Sequence, residues 1–136
     1  MKHVIIGIIG AGRIGKLHAD NLLKRVESVQ LKAITDPYLD EAWASSLNIP
    51  LTGRDHRFML DDPEIDAILI CSPSTEHAQQ MIECAQAGKH IFCEKPIALD
   101  PNIIQNVLTE VEKSGVKLQV GFNRRFDPNF AAVRKQ

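Results

Sequence analysis

The residues best suited to chemistry lie near the amino terminus, where three glycines are spaced as Gly10, Gly12 and Gly15. Gly10 lets the chain turn sharply, and the missing Cβ atom of Gly12 lets an anion approach the backbone. Gly15 allows a following helix to pack closely. The backbone N–H groups of Arg13 and Ile14 would then lie at a helix N-terminus, which attracts phosphate groups. The spacing predicts a phosphate-binding turn, although an ordinary tight strand-to-helix connection also uses glycines.

Asp36 is the second chemical feature of this region. It follows the apolar residues 31–35, so we expect it at the end of a second strand. A carboxylate at that position accepts hydrogen bonds from both ribose hydroxyls of an adenosine and repels a 2′-phosphate. Together with the glycine turn, Asp36 indicates a dinucleotide site that prefers NAD to NADP. The alternative is a turn-forming aspartate before Pro37.

Three elements must position these residues. The apolar run at residues 3–9 predicts a parallel strand buried on both faces. After the glycines, Ile14, Leu17 and Leu22 recur at roughly helical spacing, and residues 31–35 predict the second strand. This order of strand, glycine turn, helix, strand and acidic residue is the dinucleotide-binding fingerprint.

The rest of the chain continues the alternation of strands and helices. Further strands are expected at residues 48–52, 65–71, 90–93 and 117–121, and helical segments at 40–47, 56–60, 74–87, 101–114 and 129–136. The strand at 48–52 is bounded by a proline, which suits only a sheet edge. The pattern predicts an α/β fold, a Rossmann-type doubly wound parallel sheet with helices on both faces.

Ser72 and Pro73 follow the predicted strand at residues 65–71. Ligands of open parallel sheets collect at the carboxyl ends of strands, so we expect both residues to line the cofactor groove. Ser74 or Thr75 is expected to cap the next helix. The two interpretations are compatible.

Lys95 is the residue that we expect to take part in chemistry. It follows the predicted fifth strand, and Pro96 favours an extended conformation at Lys95, which would hold the side chain at the cofactor edge of the sheet. A lysine there can orient a substrate hydroxyl or tune a neighbouring proton carrier. Spacing alone favours the alternative, a surface lysine paired with Glu94.

Composition narrows the class of protein. The 136 residues carry a net charge of −1, with a pI near 6.5, so we expect no nucleic-acid partner and no attraction to acidic membranes. We see neither a signal peptide before the first strand nor an apolar run long enough to span a membrane, which predicts a soluble cytoplasmic protein. The three cysteines, Cys71, Cys84 and Cys93, lack metal or redox spacing and are expected to be buried reduced thiols, with no metal site.

Three motifs in order carry a family resemblance. They are residues 10–15, residues 94–96 and residues 121–127, the last reading Gly-Phe-Asn-Arg-Arg-Phe-Asp. They resemble the motifs of the glucose–fructose oxidoreductase/inositol dehydrogenase/rhizopine catabolism (Gfo/Idh/MocA) family over the whole chain. The resemblance implies hydride transfer between NAD and a secondary alcohol of a cyclic polyol or sugar, with myo-inositol as the expected substrate.

The resemblance also implies roles for individual residues. Cofactor-binding roles fall to Gly10, Gly12, Arg13, Ile14, Asp36, Ser72, Pro73, Glu94 and Lys95. Lys95 is in addition the catalytic residue that positions the reacting hydroxyl, and Arg124 would lie beside the nicotinamide and substrate. The alternative for Arg124 is a solvated basic pair with Arg125. Relatives often carry asparagine at the position of Ser74, which leaves the contacts of His77 open.

The family has a second, mainly antiparallel domain, whose aspartate and histidine this chain does not encode. We therefore expect a dinucleotide-binding domain at residues 1–122 and, at 123–136, the start of a connection to the absent substrate domain. As part of a truncated or cleaved dehydrogenase, the chain is expected to bind NAD without turnover. The full-length protein is expected to be a homo-oligomer and this chain a monomer. The alternative is a non-catalytic dinucleotide sensor or regulatory module.

Overall fold

The apolar runs of the sequence form a six-stranded parallel sheet in the computed structural model, which describes residues 3–134. The strands are β1 (Val4–Ile9), β2 (Val29–Thr35), β3 (Leu51–Gly53), β4 (Ala67–Ile70), β5 (His90–Cys93) and β6 (Leu118–Val120). The helices are α1 (Arg13–Arg25), α2 (Glu41–Ser46), α3 (Arg57–Asp61), α4 (Ser74–Gln86), α5 (Pro101–Ser114) and α6 (Pro128–Arg134), with a 3₁₀ helix at Asn123–Phe126. Residues 1–2 and 135–136 lie outside this description. The last two residues of the predicted helix 129–136 are among them.

The strand order in the sheet is β3-β2-β1-β4-β5-β6, and every pair is parallel. This confirms the predicted doubly wound α/β fold, including the edge position of the short strand β3. From β1 the chain runs through β2 to β3 at one edge of the sheet. It then crosses to β4, on the other side of β1, and continues through β5 to β6 at the opposite edge. The carboxyl ends of β1 and β4 therefore form the switch point at which such sheets bind ligands.

Helices cover both faces of the sheet, and successive side chains of a strand point to opposite faces, so both sets of side chains are buried. Ile8 packs in the hydrophobic cluster that includes Ala19 of α1, whereas Ile9 packs in the cluster that includes Met81 of α4 and Val107 of α5. Continuous apolar runs, rather than alternating ones, follow from this double burial.

Two local expectations differ from the structure. Leu17 is exposed because α1 approaches the sheet through Gly15 and Ala19, and a residue two positions from either lies on the opposite side of the helix. Neither Ser74 nor Thr75 caps α4. Its N-cap is Pro73, which makes no side-chain hydrogen bond to the helix. Across residues 3–134, none of the helices combines the length and the apolar composition needed to cross a membrane.

Candidate functional site

The turn after β1 requires glycine at its first position. Gly10 has a φ of +94°, which L side chains rarely adopt. A Cβ atom on Gly10 would also lie 2.5 Å from the backbone nitrogen of Ser72. The turns after β1 and β4 therefore meet at Gly10, at the switch point of the sheet.

Gly12 is the N-cap of α1, and no side chain caps this helix. The first helical hydrogen bond runs from the N–H of Lys16 to the carbonyl of Gly12, so the N–H groups of Arg13 and Ile14 have no acceptor within the helix. Apart from Gly12 itself and its two neighbours in the chain, no atom of the described residues lies within 4 Å of the position that a Cβ of Gly12 would take. An open space in front of unsatisfied donors fits a pyrophosphate.

Gly15 brings α1 close to the turn. A Cβ atom on Gly15 would overlap the carbonyl oxygen of Gly10, so a larger residue would push the helix away from β1. The close packing that the sequence predicted for Gly15 is confirmed.

Asp36 lies directly after β2, and its carboxylate accepts two backbone hydrogen bonds. Oδ2 accepts from the N–H of Ala11 at 2.7 Å, and Oδ1 accepts from the N–H of Tyr38 at 2.8 Å. A carboxylate offers about four acceptor positions, so both oxygens retain capacity for further donors. Asp36 forms the turn that precedes Tyr38, as the structural alternative proposed, and its remaining acceptor positions still suit ribose hydroxyls.

These turns line a cleft of about 750 Å³ at the carboxyl ends of β1, β2 and β4. Its volume is within the range of about 300–1,000 Å³ that is typical of ligand pockets. The predicted cofactor-binding residues in its lining are Gly10, Gly12, Arg13, Ile14, Asp36, Ser72 and Pro73. The open helix N-terminus and the acceptor at Asp36 therefore belong to one cavity, and together they fit a dinucleotide.

The lining also contains Arg54. Its guanidinium donates hydrogen bonds to the carbonyl of Pro37 at 3.2 Å and to Glu41 at 3.4 Å. These contacts hold the arginine beside the turn that follows Asp36. A planar cation at the ribose end of the cleft can stack on a purine base.

Ser72 is held from two sides in the turn after β4. Its hydroxyl donates to Oε1 of the buried Gln80 at 2.5 Å, and its carbonyl oxygen lies 2.8 Å from Nε2 of His77. Both partners come from α4. The position of Ser72 at the cleft is therefore coupled to the first turns of that helix.

Glu94 and Lys95 follow β5, and neither belongs to the lining of this cleft among the residues described. Oε1 of Glu94 lies 2.7 Å from Nε2 of His18 on α1. Within residues 3–134 no ion pair joins Glu94 to Lys95, so the alternative in which they pair is wrong. The Lys95 side chain is exposed and forms no ion pair within residues 3–134. The Lys95–Pro96 peptide bond is cis.

Arg124 lies in the 3₁₀ helix after β6 and is exposed. Its guanidinium carbon is 4.9 Å from the centre of the Phe130 ring of α6, a cation–π contact. The structure therefore does not bring Arg124 to the cleft formed by the turns after β1 and β4.

Cys71 borders the cleft, but its thiol is not suited to nucleophilic chemistry. Burial and the nearby Glu94 raise the pKa of Cys71 to about 12, so the thiol remains protonated at neutral pH. Cys84 and Cys93 are buried, and burial raises the pKa of each to about 12 as well. The expectation of buried thiols is confirmed for these two, whereas Cys71 is only partly buried.

His18 and His77 are the residues of this region that sequence reasoning did not place. His18 contacts Glu94, 76 residues away, and His77 contacts both Pro96, 19 residues away, and the nearby Ser72. The signal that could have indicated them is a histidine within four residues of a predicted site motif, since His18 follows Gly15 and His77 follows Pro73.

Sequence and structure comparisons agree with this geometry. The oxidoreductase family with an NAD-binding Rossmann fold, GFO/IDH/MocA, matches residues 4–122. The uncharacterized oxidoreductase YrbE of Bacillus subtilis is 50% identical over 135 residues, which cover 98% of this chain and 39% of that protein. Myo-inositol 2-dehydrogenase of Thermotoga maritima is 40% identical over 132 residues, which cover 96% of this chain and 39% of the relative.

A solved structure shows the same fold with a cofactor. Scyllo-inositol dehydrogenase from Lactobacillus casei, with bound NAD(H) and scyllo-inositol, superimposes with a TM-score of 0.92 at 37% identity. The match covers 98% of this chain and 40% of that one. The chain thus spans about two fifths of the length of the relatives that it matches. On its glycine turn, its sheet topology and its family match, the chain belongs to the GFO/IDH/MocA oxidoreductase family, with an NAD-binding Rossmann fold.

Proposed function

We propose that this chain is the NAD-binding part of a dehydrogenase that acts on a cyclic polyol, with myo-inositol as the first substrate to test. The observation that carries the proposal is the single cleft shared by the open α1 N-terminus and Asp36. Relatives named as inositol 2-dehydrogenases support the substrate class. In this reaction the alcohol carbon gives up a hydride and the hydroxyl gives up a proton, which leaves a ketone.

The cleft supports distinct roles for its residues. The N–H groups of Arg13 and Ile14 would donate to the pyrophosphate, which Gly12 admits because it has no side chain. Asp36 would accept from the adenosine ribose and disfavour a 2′-phosphate, so the cofactor is NAD rather than NADP. Bound NAD would supply the hydride acceptor.

We assign the nicotinamide end of the cofactor, where the reaction would take place, to a different set of residues. Glu94 and Lys95 would border the nicotinamide, and Lys95 would orient the substrate hydroxyl. Arg124 would bind the substrate. Support for Lys95 comes from its position directly after β5, next to β4 in the sheet, and from its unpaired ammonium group within the described part of the chain.

We further propose that residues 1–122 form the dinucleotide-binding domain and that residues 123–136 begin the connection to a substrate domain. The 136-residue chain alone would bind NAD without turnover, because it spans about two fifths of the length of its relatives and the proton carrier would belong to the substrate domain. A cytoplasmic location, a homo-oligomeric full-length protein and a monomeric fragment complete the proposal.

Calorimetric titration of this chain with NADH and with NADPH tests the cofactor. Saturable NADH binding with much weaker NADPH binding is the expected result, and equal affinities would contradict the role of Asp36. The substrate is tested on a longer protein that contains this chain, by following NADH formation with myo-inositol and scyllo-inositol. A protein that binds NAD but oxidises no polyol or sugar would overturn the dehydrogenase assignment and favour a dinucleotide sensor.

A further inference from the structure

Both ring nitrogens of His77 lie within hydrogen-bond distance of a backbone carbonyl oxygen. Nδ1 lies 2.7 Å from the carbonyl oxygen of Pro96, and Nε2 lies 2.8 Å from the carbonyl oxygen of Ser72. The side chain is 2% exposed. A single buried ring therefore bridges the turn after β4 and the turn after β5.

The chemistry of the two partners defines what the ring can do. Carbonyl oxygens only accept hydrogen bonds, so a ring nitrogen can bond its carbonyl only when it carries a hydrogen. A neutral ring has one N–H and holds one of the two turns, whereas the imidazolium form has two and holds both. A buried carbonyl that loses its donor costs about 1–3 kcal/mol. An apolar side chain at position 77 would therefore leave neither turn a donor at this position.

The bridge also explains how an exposed lysine can have a defined direction. Lys95 is exposed, yet both of its neighbours in the chain are held. The Glu94 side chain is bound by His18 of α1, and the Pro96 carbonyl is bound by His77 of α4. Helices α1 and α4 pack in the hydrophobic clusters on opposite faces of the sheet, so the Lys95 turn is held from both sides.

We infer that His77 is a positioning residue, which sets the direction of the Lys95 turn relative to the cofactor cleft at Ser72. This inference rests on the proposed function in that Lys95 serves the nicotinamide end of the cofactor. The competing interpretation is a buried histidine that only fills the core and satisfies two carbonyls.

The test compares His77→Leu, which cannot donate, with His77→Gln, whose amide retains a donor. The control is His90→Leu, at the opposite end of β5, where Nδ1 accepts from the N–H of Lys117 at 3.1 Å. Hydrogen–deuterium exchange of residues 94–98 is measured without nucleotide. Affinities for NADH and for ADP-ribose, which lacks nicotinamide, are measured by calorimetry, and thermal unfolding is followed in parallel.

Three results are expected together. His77→Leu accelerates exchange of residues 94–98 by about tenfold, the effect of roughly one lost hydrogen bond. It also weakens NADH binding more than ADP-ribose binding, because the released turn lies at the nicotinamide end. His77→Gln gives intermediate values, and His90→Leu leaves the exchange of residues 94–98 unchanged.

Unchanged exchange of residues 94–98 in His77→Leu, or equal losses for NADH and ADP-ribose, would overturn the inference in favour of a core-filling histidine. If His77→Leu does not fold, His77→Met, which also cannot donate but is unbranched and flexible, carries the test: exchange faster than in the unmodified chain supports positioning, and identical exchange refutes it. A chain that binds neither nucleotide would refute the proposed function instead, while the exchange measurement would still decide whether His77 holds the turn.

Discussion

The carboxylate of Asp36 accepts a hydrogen bond from the backbone N–H of Ala11 at 2.7 Å, although 25 residues separate them. The contact joins the end of β2 to the glycine turn after β1. Asp36 therefore shapes the turn and at the same time faces the cleft. Any substitution of Asp36 affects both roles, and the choice of variant has to separate them.

Asp36→Asn removes the negative charge and keeps one acceptor oxygen for the N–H of Ala11, whereas the hydrogen bond from the N–H of the exposed Tyr38 is lost. We expect Asp36→Asn to bind NADPH more tightly than the unmodified chain does, since the repulsion of a 2′-phosphate disappears. Asp36→Ala should in addition weaken NADH binding by about 10- to 100-fold, the range for a lost hydrogen bond to a charged group. Titration calorimetry with both nucleotides checks this, and an unchanged preference in both variants would rule out the cofactor role.

Gly12→Val should abolish NADH binding and leave the fold intact. Gly12 has a φ of −71°, which any residue adopts, and beyond its two neighbours in the chain the described residues have no atom within 4 Å of its Cβ position. The valine side chain would occupy the space that the pyrophosphate needs. Circular dichroism and thermal unfolding should match the unmodified chain, whereas calorimetry should show no heat of binding. A folded Gly12→Val variant that still binds NADH would mean that the cofactor lies elsewhere.

Gly15→Ala should destabilise the fold. The added methyl group would overlap the carbonyl oxygen of Gly10, so α1 must move away from the sheet. Overpacking of this kind costs about 1–3 kcal/mol of folding free energy, and the rigid backbone partner favours the upper end. Urea unfolding measures the loss. A Gly15→Ala variant as stable as the unmodified chain would show that α1 does not lie as close to β1 as described.

Asp62 should contribute stability that depends on pH. Its Oδ2 accepts from Nζ of Lys32 at 2.6 Å, and this bond, followed by the N–H of Glu64, lowers the pKa of Asp62. A carboxylate whose pKa is lowered in the folded state stabilises the fold at pH values above its unfolded pKa of about 3.9. This stabilisation is lost as the pH falls through the folded pKa. Asp62→Asn should therefore be less stable than the unmodified chain at pH 7, and the difference should shrink below about pH 3.9.

Urea unfolding across this pH range checks the Asp62 prediction, with Glu64→Gln as the control. Glu64 also binds Lys32 at 2.6 Å, but its side chain is 68% exposed, so its removal should matter less. A stability difference for Asp62→Asn that stays constant down to pH 2 would show that the ion pair is not its cause.

Much of the fold could be predicted because its signals are local. The strand at residues 90–93 was predicted with the bounds that the structure has, since a short apolar run between turn residues admits few alternatives. The helix face of α1 was predicted less well. Leu17 fits a helical period but is exposed, because the close approach of Gly15 and Ala19 decides which side faces the sheet.

The contacts that hold the site together could not be predicted in the same way. His18 and Glu94 are 76 residues apart, and His77 and Pro96 are 19 apart. Whether such residues meet depends on how each helix lies on the sheet, which side-chain packing determines across the whole domain. Nothing in the periodicity of a single segment carries that information.

The sequence by itself determined the strand and helix alternation, the glycine turn and the acidic residue after β2, because each follows from backbone geometry within a few residues. Only the tertiary structure decided that Asp36 bonds to the glycine turn, that Glu94 pairs with His18 rather than Lys95, and that His77 bridges two turns. These contacts form where the carboxyl ends of neighbouring parallel strands lie side by side, and only the assembled sheet decides which strand ends are neighbours.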